Sequence, residues 1–89
     1  MTFNELKKHL TAFGLWKKTE PFYNPDGTMK DFEAMETGIT KYSSSERVLI
    51  LALTDLYHNR DTVFFNELIN TLDRENIYRL IQIIRQIRK

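Results

Sequence analysis

The sequence predicts a single all-α domain, residues 1–89, of four to five helices packed around one hydrophobic helix at about residues 44–58. Three observations carry this. Val48-Leu49-Ile50-Leu51-Ala52-Leu53 is an unbroken apolar run directly behind Ser43-Ser44-Ser45-Glu46, and Ser43 with Glu46 has the spacing of a capping box. Apolar residues recur at helical spacing near both ends, as Phe3, Leu6, Leu10 and Phe13, and as Ile77, Leu80, Ile81, Ile84 and Ile87. A chain of 89 residues with 42% hydrophobic content has material for one core.

The central helix is the strongest element. At 100° per residue Val48, Leu49, Ala52, Leu53, Leu56 and Tyr57 form one broad face and Ile50 widens it. Leu51 falls on the other side, among Arg47, Thr54, Asp55 and His58. A helix apolar nearly all round is one that other elements surround. Leu49 and Leu53 are therefore expected to be core residues.

From the N-terminus, Thr2 with Glu5 repeats the capping-box spacing, and a helix is expected over Phe3 to Phe13. Gly14 suits a left-handed stop, with Leu15 packing back behind it. Leu15 to Tyr23 contains Trp16, Phe22 and Tyr23 but also Pro21, which forbids a continuous helix. The expectation is an extended connection whose rings cover one end of the core, with an exposed aromatic patch as the alternative. Asn24-Pro25-Asp26-Gly27 is a turn. A helix capped by Thr28 should follow, with Asp31 at the capping-box position, Met29, Phe32 and Met35 facing inward and Gly38 at its end.

After the central helix, Asn59-Arg60-Asp61-Thr62 is a polar break. Phe65-Asn66-Glu67-Leu68 then repeats Phe3-Asn4-Glu5-Leu6, with Leu72 matching Leu10. Two copies do not make a repeat protein, and the string reads as one local solution, a short amphipathic helix, used twice. Asp73 is the expected N-cap of the last helix, with Glu75 in its first turn and Arg85, Arg88 and Lys89 at the cation-favouring end.

Chemistry-bearing patterns are sparse. The chain has no cysteine, which excludes disulfides and thiolate metal sites and favours a reducing compartment. The start has no signal-peptide pattern, and no apolar run approaches membrane-spanning length. A cytoplasmic location is expected. Glycines 14, 27 and 38 are isolated, so no phosphate-cradling loop is present. If Gly27 held the sixth position of a calcium loop, Asn24, Asp26 and Glu33 would fall on ligand positions, but Phe22 would hold the first and Pro25 would lie inside. Glu5 with His9 and Asp55 with His58 could each lend two metal ligands, without the third and fourth that a site requires. Glu33 and Glu36 lack the burial that acid–base work needs. No catalytic residue, cofactor or metal is expected, and the chain is read as a non-enzyme.

Charge is unevenly spread. Residues 1–18 carry four lysines against one glutamate, residues 73–89 carry five basic groups against two acids, and the middle sums to −5. Such asymmetry steers an anionic partner or folds the ends back onto the middle.

The favoured function is a non-catalytic protein–protein interaction module using the last helix. Residues 77–87 hold six aliphatic side chains over roughly 160°, wider than the stripe one core contact needs. Ile83 is expected at the exposed margin beside Arg79, Gln86 and Ile87, an apolar centre rimmed by arginine. The partner is either a host protein or a second copy of the chain. The alternative is nucleic-acid binding through Lys7, Lys8, Lys17, Lys18, Arg74, Arg79, Arg85, Arg88 and Lys89. A pI near 8.0 speaks against a dedicated nucleic-acid binder.

The Ser-Ser-Glu-capped apolar helix, the short helix after it, and the Leu72-Asp73-Arg74-Glu75-Asn76 start of an isoleucine-rich basic helix together span residues 43–89. This pattern resembles small uncharacterised helical proteins found in phages and mobile elements of Gram-positive bacteria. The resemblance assigns no activity and no functional residue. It implies a chain whose work is to bind and modulate a host or partner protein.

Overall fold

Ser43 caps the central helix as its spacing predicts. In the computed structural model, which describes residues 1–87, its Oγ accepts from Glu46 N at 3.2 Å and the Glu46 carboxylate accepts from Ser43 N at 3.2 Å. The helix runs Ser44–His58, and every residue from Val48 to Asp55 is buried. Leu51 is thus enclosed with the rest, because elements pack on both sides of this helix. The Thr54 hydroxyl, buried on the nominally polar side, donates to the Ile50 carbonyl at 2.8 Å, which removes the cost of an unpaired group.

Six α-helices form in all, with two short 3₁₀ segments and no strand among the described residues. They are α1 (Phe3–Ala12), α2 (Trp16–Thr19), α3 (Phe32–Gly38), α4 (Ser44–His58), α5 (Phe65–Thr71) and α6 (Arg74–Ile87). The all-α class is as expected. The number exceeds four to five because the chain coils where an extended connection was expected.

α1 opens with the reciprocal Thr2–Glu5 box, at 2.9 and 3.2 Å. It closes on Gly14, whose φ of 73° is left-handed, with Leu15 N donating to the Leu10 carbonyl at 2.7 Å. That bond swings Leu15 into the core and α1 against α4.

The chain then departs from expectation. Residues 16–19 form α2, and Glu20–Phe22 a 3₁₀ turn that accommodates Pro21 at its start, where no backbone N–H is needed. Trp16 and Phe22 are half-buried and Tyr23 is buried, so the rings do cover one end of the core. The 24–27 turn forms, with Gly27 N donating to the Asn24 carbonyl at 3.0 Å. Thr28 is not the next N-cap. Its N–H and hydroxyl donate to Asp26 Oδ1 at 3.0 and 2.7 Å, while Asp31 caps α3 by accepting from Glu33 N and Ala34 N. The stronger acceptor, a carboxylate, has taken the cap. Gly38 ends α3 as expected, in ordinary helical geometry, and the chain continues into a 3₁₀ turn over Ile39–Lys41.

The core joins Leu6, Leu10 and Leu15 to Met35, Ile39 and the α4 run, and Leu72, Leu80 and Ile83 close it from the C-terminal side. No helix among the described residues is long and apolar enough to cross a membrane.

Candidate interaction surface

The local contrast between α1 and α5 defines the surface. Both open with Phe-Asn-Glu-Leu, and in both the glutamate reaches back to the N-cap amide: Thr2 N to Glu5 at 2.9 Å, Phe64 N to Glu67 at 3.4 Å. The position that is Thr2 in α1 is Phe64 in α5, so α5 lacks a side-chain acceptor at its start. The phenylalanines that follow meet opposite environments. Phe3 packs with Trp16, Tyr23 and Tyr57, its ring centroid 5.5–6.0 Å from theirs. Phe65, at the same place in the same string, is 74% exposed, and Phe64 before it 71%. Ile69, one turn on, is 48% exposed, whereas Leu72 is buried.

α6 begins at Asp73, whose carboxylate accepts from Asn76 N at 2.8 Å. Leu80 and Ile83 are buried and Ile77, Ile84 and Ile87 pack partly against the core. Tyr78 at 62% and Ile81 at 45% face outward. These five side chains are all the exposed large hydrophobics among the described residues, and all lie between positions 64 and 81.

The excess of apolar residues on the last helix is therefore present, but it falls elsewhere than expected. Ile83, the expected exposed residue, is 7% exposed and belongs to the core. With Leu80 and Ile83 turned into the core, Ile81 faces outward. Arg79 lies against α1, where its Nη2 donates to the Ala12 carbonyl at 2.9 Å and its guanidinium lies 4.0 Å from the Phe13 ring centroid. Arg79 thus serves the α1–α6 junction. Gln86 is exposed, and Ile87 helps line a hollow of about 430 Å³ between α4, α5 and α6, with Leu56, Leu68, Leu80 and Ile84 among its walls.

The other candidate cations divide. Lys18 pairs with Glu46 and lies 4.9 Å from the Tyr42 ring centroid, so one basic end does fold back onto the acidic middle. Lys7 lies 5.4 and 5.5 Å from the rings of Phe3 and Trp16. Lys8, Lys17, Arg74 and Arg85 are exposed. Arg88 and Lys89 lie outside the described residues.

The remaining titratable groups do structural work. Asp55 is buried, and its Oδ2 accepts from Thr62 N and Val63 N at 2.8 and 2.9 Å, which ties the α4–α5 loop to α4. His58 is half-buried among Tyr23, Phe32 and Tyr57, and hydrogen-bonded to Tyr23 Oη at 2.9 Å. Burial lowers its imidazole below the ordinary value, Arg60 adds to this, and Asp55 opposes it. His9 is lowered by burial, with Lys8 adding and Glu5 opposing. Burial, with the neighbouring Tyr57, pushes the Tyr23 phenol up. Asp26 is held down chiefly by its hydrogen bonds to Thr28. No group of three or more metal-ligating side chains converges among the described residues.

No family model matches the chain, and neither a curated protein nor a solved structure matches it. None of Phe64, Phe65, Ile69, Tyr78 and Ile81 was among the residues expected at the surface site. The signal for the first two was present: Phe64 stands where its twin string has a capping threonine.

Proposed function

We propose that this chain is a non-catalytic protein-interaction module whose contact surface is the outer side of α5 and α6. One observation carries the reading: every exposed large hydrophobic among the described residues lies between 64 and 81. Scattered exposed apolar residues are ordinary, and their confinement to one segment supports a binding surface there. The Phe3–Phe65 contrast supports it, since the same string is covered by three rings in α1 and left bare in α5. The pattern shared with phage and mobile-element proteins adds a host protein as the partner's source.

Phe65→Ser with Ile81→Ser tests this. Both residues are exposed, so the variant should keep its melting temperature, within about 0.5 kcal/mol of stability. In-cell cross-linking should attach wild type, through residues 64–81, to a protein that the variant no longer reaches. A wild-type chain that cross-links nowhere along this segment, or a variant with undiminished cross-links, overturns the reading.

The exposure of Lys8, Lys17, Arg74 and Arg85 supports nucleic-acid binding as a second reading. A mobility shift at low salt, weakened in Arg85→Ala with a flatter salt dependence, is what it requires.

A further inference from the structure

The surface has a charge pattern as well as an apolar one. On α6, Arg74, Tyr78, Ile81 and Arg85 follow one another at steps of four, three and four, and all are exposed. At 100° per residue they lie within about 60° of arc, and the arginines stand about 16 Å apart along the axis. The stripe is thus cation, aromatic, aliphatic, cation. Phe65 and Ile69 on α5 are exposed as well, and α5 and α6 share the hollow lined by Leu68, Leu80 and Ile84.

Nothing among the described residues neutralises the cations. Arg74 and Arg85 make no ion pair among the described residues, whereas Lys18 and Arg60 do. Of the nearby acids, Asp73 accepts from Asn76 N and Glu67 from Phe64 N. Glu75 lies about 100° round the helix from Arg74, off the stripe. From Asn76 onward the chain has no acidic residue.

We propose that this stripe receives an amphipathic helical segment of a different protein, with apolar side chains at its centre and carboxylates flanking them. The proposal rests on the interaction reading above and names the chemistry of the partner. A second copy docked stripe to stripe is disfavoured by the pattern itself. The stripe reads the same in both directions, so an antiparallel two-fold copy sets Tyr78 against Ile81 but Arg74 against Arg85 at both ends. A parallel copy sets each arginine against itself. Like charges facing across an interface are costly, and carboxylates from another chain remove that cost. Nucleic acid would find rings to stack on in Phe65 and Tyr78, but a duplex strand carries a charge about every 3.4 Å, and two arginines about 16 Å apart match few of them.

The test is selection on the immobilised full chain with a displayed library of 16-residue helical peptides. Enriched sequences should carry an apolar centre flanked by Asp or Glu. Anisotropy with one labelled winner should show affinity falling about tenfold or more in Arg74→Glu/Arg85→Glu, and returning when the peptide's acids become lysines. Arg74→Gln/Arg85→Gln, which reverses no charge at the helix end, should weaken the acidic peptide by a smaller factor. No enrichment, neutral or basic winners, or equal binding by the charge-reversed variant overturns the proposal. So does a concentration-dependent dimer in sedimentation that Tyr78→Ser abolishes, or an RNA oligonucleotide that displaces the peptide. In-cell cross-links along 64–81 together with a failed peptide selection would leave the interaction reading standing and remove this one.

Discussion

Gly38 shows how a residue's role depends on its neighbour more than on its own freedom. It sits in helical geometry, and a Cβ built there would lie 2.6 Å from Phe22 Cζ. The need is for space. Gly38→Ala should therefore destabilise the protein by about 1–3 kcal/mol despite the better helix propensity of alanine. Phe22→Leu should recover part of that loss in the double variant, as read by urea denaturation; strict additivity would refute the contact as the cause. His58 sets a pH dependence. Its folded imidazole binds a proton less readily than the unfolded one, whose ordinary value is 6.5. Below that value the unfolded chain takes up the proton first. The stability His58 contributes is thus complete above 6.5 and is lost as pH falls through the lower folded value. Denaturation midpoints should drop on acidification from about pH 7.5 to pH 5, and less steeply in His58→Gln. His9, shifted the same way, leaves a residual slope. An identical slope in the variant would show that His58 is not the titrating group.

At the scale of elements, α4 was legible to its end residues because capping box, apolar run and polar break all agreed. Leu53→Ala should cost roughly 2–5 kcal/mol in a chemical melt, since the side chain is wholly enclosed; a neutral substitution would contradict the central position of α4. α1 was equally legible, glycine stop included. The backbone of residues 16–22 and the cap of α3 were misread, although the 24–27 turn between them formed as expected, because the choice between coil and short helix was made by tertiary packing of Trp16, Phe22 and Tyr23. The apolar excess of α6 was readable from periodicity, but which margin faced water was not. A helix wheel has no zero angle, and the roll of α6 follows from which of its side chains the rest of the core receives, here Leu80 and Ile83. Periodicity thus placed an exposed apolar margin on α6, but on Ile83, where the structure has Ile81.

For the whole molecule, a radius of gyration of 12.2 Å is that of a compact chain of this length, about 12 Å. Its apolar surface is distributed unevenly all the same, with the rings of α1, α2 and α4 locked together at one end and those of α5 and α6 bare. Phe64 and Phe65 follow the loop between α4 and α5, whose residues 59–61 are exposed, and form two adjacent exposed aromatic side chains. An enzyme that cuts after large aromatic residues, such as chymotrypsin, would meet this bond pair before any other. Phe3, Phe13, Phe22 and Phe32 are all half-buried by comparison. Brief digestion should release the segment from 65 or 66 onward as the first fragment, identified by its mass. An occupied α5–α6 surface would shield the same peptide bonds, so the rate of that first nick becomes a label-free gauge of whether a partner is bound.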